Sequence, residues 1–122
     1  MLVPHLHFNG NCLEALKFYE KAFKATITVC IKDETNNRIV HSEMEIFDNR
    51  IMLNDDDELD SCSNKSPIHL LVTFNSPSSL QETYQLMGDG CSIIQPMQKT
   101  GYSECIVDFI DIYGIRWGFM AE

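Results

Sequence analysis

Positive charge is scarce in this chain. Nine lysines and arginines stand against eighteen aspartates and glutamates, a formal net charge of -9 over 122 residues. A surface of that sign repels phosphate backbones and anionic headgroups, so neither nucleic acid nor a membrane is expected as a partner. Long apolar runs are missing, and no stretch approaches the ~20 residues that cross a bilayer. The opening segment MLVPHLHFNG has no basic start followed by an apolar stretch, so no secretory leader is expected. CxxC pairs and Cys/His clusters are absent, and the five cysteines, at 12, 30, 62, 91 and 105, are odd in number. This argues against a disulfide framework or structural zinc, and for reduced thiols in a cytoplasm, most of them small core residues. The six glycines form no nucleotide fingerprint, phosphate loop or nucleophile elbow.

What is present is domain-sized. The chain is 44% hydrophobic and 22% charged. A chain of this length removes roughly two-thirds of its unfolded surface from water and needs no covalent staple. The excess negative charge suits a small ligand with a cationic part. Some of it lies in one run, Asp55-Asp56-Asp57-Glu58 with Asp60, which reads as a solvated loop. It lacks the spaced ligands and the glycine turn of a calcium loop.

Periodicity sets the elements. Leu2 to Phe8 reads as a strand, with His5 and His7 on one face and Leu6 and Phe8 on the other. From Cys12 the period becomes helical, with a stripe at Cys12, Ala15, Leu16, Tyr19, Ala22 and Phe23; Asn11 is the expected N-cap, with Glu14 completing a capping box. Strands are expected at 26–32, 39–47 and 50–54, with Val40, Met44 and Ile46 opposite His41, Glu43 and Glu45, and a tight turn at Asp48-Asn49. After a polar linker the order repeats. A strand runs Ile68 to Phe74, a helix opens at Ser76-Pro77 and stops at Gly88-Asp89-Gly90, and strands follow at 91–95, 103–110 and 116–120. Each half is therefore strand, helix and three strands. Phe8-Asn9 matches Phe74-Asn75, and Asn49-Arg50-Ile51-Met52-Leu53 matches Ile115-Arg116-Trp117-Gly118-Phe119. This reads as an internal duplication within one domain, 1–122, with module one about 1–56 and module two about 67–122. The fold class is α+β. One module alone would leave a sheet face bare. Two βαβββ modules make an eight-stranded curved sheet, with helices outside and a cleft inside.

A duplicated βαβββ plan resembles the vicinal oxygen chelate superfamily, which includes glyoxalase I, extradiol dioxygenases, fosfomycin-resistance enzymes and bleomycin-resistance proteins. Three segments are similar to its PhnB-like branch, in order along nearly the whole chain: FNGNCLEALKFYEKAF, HSEMEIFDNRIMLNDD and VDFIDIYGIRWGF. In the last, Asp111-Ile112-Tyr113-Gly114 stands where that branch has Asp-Pro-Phe-Gly. The resemblance implies a homodimer. It also implies a divalent metal held by histidines, glutamines and glutamates from the first and last strand of each module, with open positions for two substrate oxygens. His69, five residues before Phe74, matches the second-module histidine, and His5 lies one residue off the first-module position. The acids do not match. Met52 and Gly118 occupy their places, and Arg116 shares the face of Gly118.

No complete metal site is therefore expected, and no cofactor; one divalent ion completed by Glu43 is the alternative. The candidate ligand-lining residues are His5, His7, Glu43, Met52, His69, Tyr102, Arg116 and Gly118. Met52 and Gly118 would give an apolar floor, Tyr102 would edge the cleft, Glu43 would act as a base if burial raised its pKa, and Trp117 would pack as core. The leading expectation is a cytoplasmic protein that binds a small organic molecule in the manner of the bleomycin-resistance proteins, offering acidic groups to any cationic part. The alternative is a metal-dependent lyase, isomerase or dioxygenase acting on vicinal oxygens. Part of the branch is labelled ubiquinone-type methyltransferase, yet no glycine-rich segment here suits S-adenosylmethionine. A ferredoxin-like α+β fold without duplication would put the halves in unlike topologies.

Overall fold

The computed structural model describes residues 1–57 and 66–121. The chain divides into two compact units, Met1–Ser61 and Cys62–Glu122.

In unit one, β1 (His5–Phe8) leads to α1 (Cys12–Phe23), then β2 (Thr26–Lys32), β3 (Ile39–Ile46) and β4 (Asn49–Asp55). The sheet order is β1-β4-β3-β2, with β1 parallel to β4 and the other pairs antiparallel. In unit two, β5 (Leu70–Phe74), α2 (Pro77–Met87), β6 (Ser92–Gln98), β7 (Cys105–Ile110) and β8 (Arg116–Ala121) repeat the arrangement as β5-β8-β7-β6, again with only the first pair parallel. One topology occurs twice, in two four-stranded mixed sheets, which removes the unduplicated ferredoxin-like alternative.

The helical stripe of α1 is buried as its spacing predicts: Cys12, Ala15, Leu16, Tyr19, Ala22 and Phe23 all leave solvent. Burying each large side chain of that stripe contributes about 1.5–3 kcal/mol. The facing sheet residues are Leu6 and Phe8 of β1, Met44 and Ile46 of β3, and Ile51 and Leu53 of β4. Lys24, with φ 53°, ends the helix in the left-handed conformation. In unit two, Leu80, Thr83 and Met87 turn inward from α2. Ser76 caps that helix by accepting the Ser79 N–H at 3.2 Å, with Pro77 in the first turn. Trp117 is core, as expected, packed edge-on to Phe119.

Several expectations shift. β1 begins at His5 and β5 at Leu70, so the strands are shorter at their starts; Pro4, just ahead of β1, has no N–H to donate to a ladder. The β3–β4 hairpin turns at Phe47 and Asp48, both with positive φ, one residue before the expected place. Val40 is exposed, while Ser42 is fully buried and donates its hydroxyl to Leu53 O at 2.6 Å. β6 extends through Pro96, which an edge strand with a shifted register tolerates. Cys12 and Cys105 are buried, but Cys91 is half-buried and Cys30 exposed on edge strand β2, so the described thiols are not mostly core; Cys62 lies outside the described residues.

The acidic run is not simply a solvated loop. Asp55 is the last residue of β4, and its carboxylate accepts the N–H groups of Gly10 at 2.7 Å, Cys12 at 3.1 Å and Ile39 at 2.8 Å. It does the work assigned to Asn11, whose side chain makes no capping bond. Asp56 faces His7 and Asp57 pairs with Arg38 at 2.6 Å; Glu58 and Asp60 lie outside the described residues.

Candidate functional site

Alternation places the candidate residues. In unit one, Leu6, Phe8, Ile51 and Leu53 point to the helix, so their neighbours His5, His7, Arg50, Met52 and Asn54 must line the other, open face. The ladder sets His5 opposite Met52, and Glu43 opposite Met52 from the other side. Four of the expected residues, His5, His7, Glu43 and Met52, are thereby brought onto one sheet face. The His5 and His7 rings lie with centroids 4.4 Å apart, tilted by 32°. Burial, then the nearby His7 and His41, lower the His5 pKa below its ordinary 6.5; Asn54 opposes this weakly through the ring. Asn54 Oδ1 is itself buried and, among the described residues, finds no donor in good hydrogen-bond geometry.

Glu43 is tied on both oxygens. Its Oε1 accepts from Arg50 Nε at 2.6 Å and its Oε2 meets His41 Nε2 at 2.7 Å. Those bonds, Arg50 first, hold its carboxyl down to about 2. The expectation of a base with a raised pKa is therefore reversed: the partners that fix Glu43 also keep it ionised and occupied.

Unit two carries a matching arrangement. Asp108 stands opposite Gly118 as Glu43 stands opposite Met52, and the Arg two residues before each of those positions reaches diagonally to the carboxylate. Arg116 binds Asp108 through two nitrogens, Nη2–Oδ2 at 2.7 Å and Nε–Oδ1 at 3.2 Å, and also donates to the Ser66 carbonyl. This pairing raises the Arg116 pKa, by hydrogen bonding first. His69 lies in the segment before β5, its Nδ1 3.7 Å from Asp108 Oδ2, and its ring rests against Gly118. So His69, Arg116 and Gly118 lie together around Asp108.

Tyr102 does not join them. It is 74% exposed in the turn ahead of β7. That turn adjoins the Cys105–Ala121 end of the ladder, whereas Arg116 sits at the Ile110 end, five residues and roughly 17 Å away along β8. His5 and His69 are not equivalents either: by register His5 corresponds to Leu71, because these two oppose Met52 and Gly118.

His41, Arg50, Asn54 and Asp108 were not among the expected site residues. The parity of β3 pointed to His41. Asp108 was hidden because the turn before β8 is longer, so its spacing to Arg116 is eight residues where that of Glu43 to Arg50 is seven. Each of these two carboxylates is paired with its arginine.

These two sheets of one order, each backed by a helix, define a glyoxalase/bleomycin-resistance/dioxygenase fold. Similar solved structures include a PhnB protein from Bacillus cereus described as a candidate 3-demethylubiquinone-9 3-methyltransferase (TM-score 0.90, 18% identity, covering 99% of this chain and 98% of that one). A glyoxylase/bleomycin resistance protein/dioxygenase domain from Frankia sp. EAN1pec matches with TM-score 0.74 and 17% identity, over 98% and 87% of the chains. The fosfomycin resistance protein FosX from Listeria monocytogenes matches with TM-score 0.73 and 14% identity, over 100% and 92%. No family model matches the sequence, and no curated protein matches it. Among the described residues, no helix is long and apolar enough to cross a membrane.

Proposed function

We propose that this chain is a PhnB-like protein of the glyoxalase/bleomycin-resistance type that binds a small organic molecule against its open sheet faces without a catalytic metal. One observation carries the reading. The ladder positions beside His5 and Leu71, where the resemblance calls for ligating acids, hold a thioether, Met52, and a bare α-carbon, Gly118. Neither supplies a carboxylate.

The residues present do not fit a divalent ion. Glu43, the acid that would have to substitute, has both oxygens occupied by Arg50 and His41. Asp108 is likewise clamped by Arg116, whose charge opposes a cation beside it. Among the described residues no three histidine, cysteine or acidic side chains converge as a ligand set. What the faces do offer is apolar surface at Met52, flat imidazole surface at His5 and His7, and fixed polar groups at the rim, the mixture that holds small organic ligands. The homodimer implied by the resemblance, and the cytoplasm to which the cysteine usage points, belong to the same proposal.

The test is thermal stabilisation by a panel of small organic molecules, run with and without added divalent ions. Stabilisation by an organic ligand that a chelator leaves intact supports the reading. A chelator-sensitive activity on a vicinal-oxygen substrate overturns it in favour of the metal-dependent alternative.

A further inference from the structure

If a small organic molecule lies against the open face of unit one, as proposed above, the groups on that face also restrict its chemistry. We propose that His41 is the proton-accepting group of this face and that the ligand carries a weakly acidic hydroxyl of the phenol or enol kind.

The argument starts from which ring nitrogen bears hydrogen. Glu43 is an ionised carboxylate, because Arg50 Nε donates to its Oε1 at 2.6 Å, and a carboxylate only accepts. His41 Nε2 lies 2.7 Å from the other oxygen, so Nε2 must carry the hydrogen. The lone pair of the neutral ring is then at Nδ1. The ring is held by a carboxylate that is itself held by a guanidinium, which orients Nδ1, and the His41 side chain remains 33% exposed.

The neighbours agree with this role. From β1 come His5 and His7; burial first, then His7 and His41, lower the His5 pKa. From β4 come Met52 and the fixed positive charge of Arg50, already paired with Glu43; Glu43 and Glu45 follow His41 along β3; and β2 brings no charge, with Ile31 opposite His41 and Val29 opposite Glu43. The tilted His5–His7 pair and the Met52 thioether give a planar ring apolar and polarisable surface to rest on.

The step is a simple transfer. The ligand O–H bond breaks, its proton passes to Nδ1, and its electron pair stays on oxygen. The products are an oxyanion and an imidazolium whose Nε2–H still faces Glu43. Unit two does not repeat the device: His69 Nδ1 is 3.7 Å from Asp108, beyond a hydrogen bond, so no carboxylate fixes its tautomer.

Two measurements on the full chain test this. Nitrogen-15 NMR of the ligand-free protein reads the His41 tautomer directly, and protonation at Nε2 is expected; protonation at Nδ1 alone overturns the proposal. The second uses 4-nitrophenol, whose phenol and phenolate absorb differently, at a pH below its own ionisation. Bound probe should appear as phenolate. His41→Gln should lower the bound phenolate-to-phenol ratio about tenfold, the worth of one hydrogen bond to a charged group. Glu43→Gln, which leaves the imidazole in place but unfixes its tautomer, should lower it in the same direction. Probe that binds as phenol, or a His41→Gln protein that still binds phenolate, overturns the proposal. If 4-nitrophenol fails to bind while another organic molecule stabilises the chain, the ligand class is wrong and the binding reading stands. If no small molecule stabilises it, both fall.

Discussion

The imidazole of His69 rests on the bare α-carbon of Gly118: a side chain there would begin 3.1 Å from His69 Cε1 and 3.2 Å from Nε2. In the other unit the same ladder position is Met52, set beside His5. The place where the resemblance requires an acid is thus filled in one unit by a thioether and in the other by the ring of His69, with Leu71 beside it.

Gly118→Ala should therefore be tolerated. The new methyl group would meet the mobile ends of His69 and Leu71, which can yield by a few tenths of an ångström, while the entropy cost of a strand glycine disappears. The expected change in stability is within about 1 kcal/mol, with a clear displacement of the His69 ring resonances. Chemical denaturation gives the first and NMR the second. A loss above about 3 kcal/mol would show that His69 is locked where it lies.

The Glu43 pairing sets an acid limb of stability. Its carboxyl lies at about 2 in the folded chain against 4.5 ordinarily. A depressed folded pKa contributes stability that is fully present above 4.5 and is lost as pH falls towards 2. The Glu43→Gln protein lacks that contribution. Melting temperatures of the two proteins should differ most above pH 4.5 and converge as pH approaches 2. A difference that stays constant through this window would refute the pairing.

Asp111 holds the turn before β8. Its carboxylate accepts from Tyr113 N–H at 2.8 Å, Ile115 N–H at 3.0 Å and Trp117 Nε1–H at 2.8 Å, and it is 4% exposed. Asp111→Ala strands buried donors and should cost about 3 kcal/mol. Asp111→Asn should cost less, since an amide oxygen still accepts. Urea denaturation followed by the fluorescence of Trp117, the sole tryptophan, reads both.

Asp55 does the corresponding work in unit one. Asp55→Ala removes the acceptor for Gly10, Cys12 and Ile39 and should cost about 2–3 kcal/mol, whereas Asn11→Ala should cost well under 1 kcal/mol. The contrast in denaturation midpoints is the measurement, and equal losses would contradict it.

These aspartates show where the sequence was opaque. The buried stripe of α1 could be read because the periods of apolar residues and of the helix coincide, and the doubled plan because Phe8-Asn9 and Arg50 recur as Phe74-Asn75 and Arg116. Local capping signals point to Asn11, but Asp55 reaches the Cys12 N–H from 43 residues away. Glu43 could be placed on a face by parity, yet its ionisation depends on Arg50 and His41, which only the β3–β4 ladder brings to it. Asp108 required the strand register, since unequal turns disguise its likeness to Glu43. Tyr102 looked close to the site only because the chain there was read as leading straight into a strand; the ladder puts it at the far end.

Elemental analysis of the protein, purified without chelators, tests the central claim most directly. The account predicts far less than one equivalent of zinc, nickel, iron or manganese per chain, and no change in melting temperature on adding chelator. One tightly held divalent ion per chain, lost in the His69→Ala protein, would contradict it.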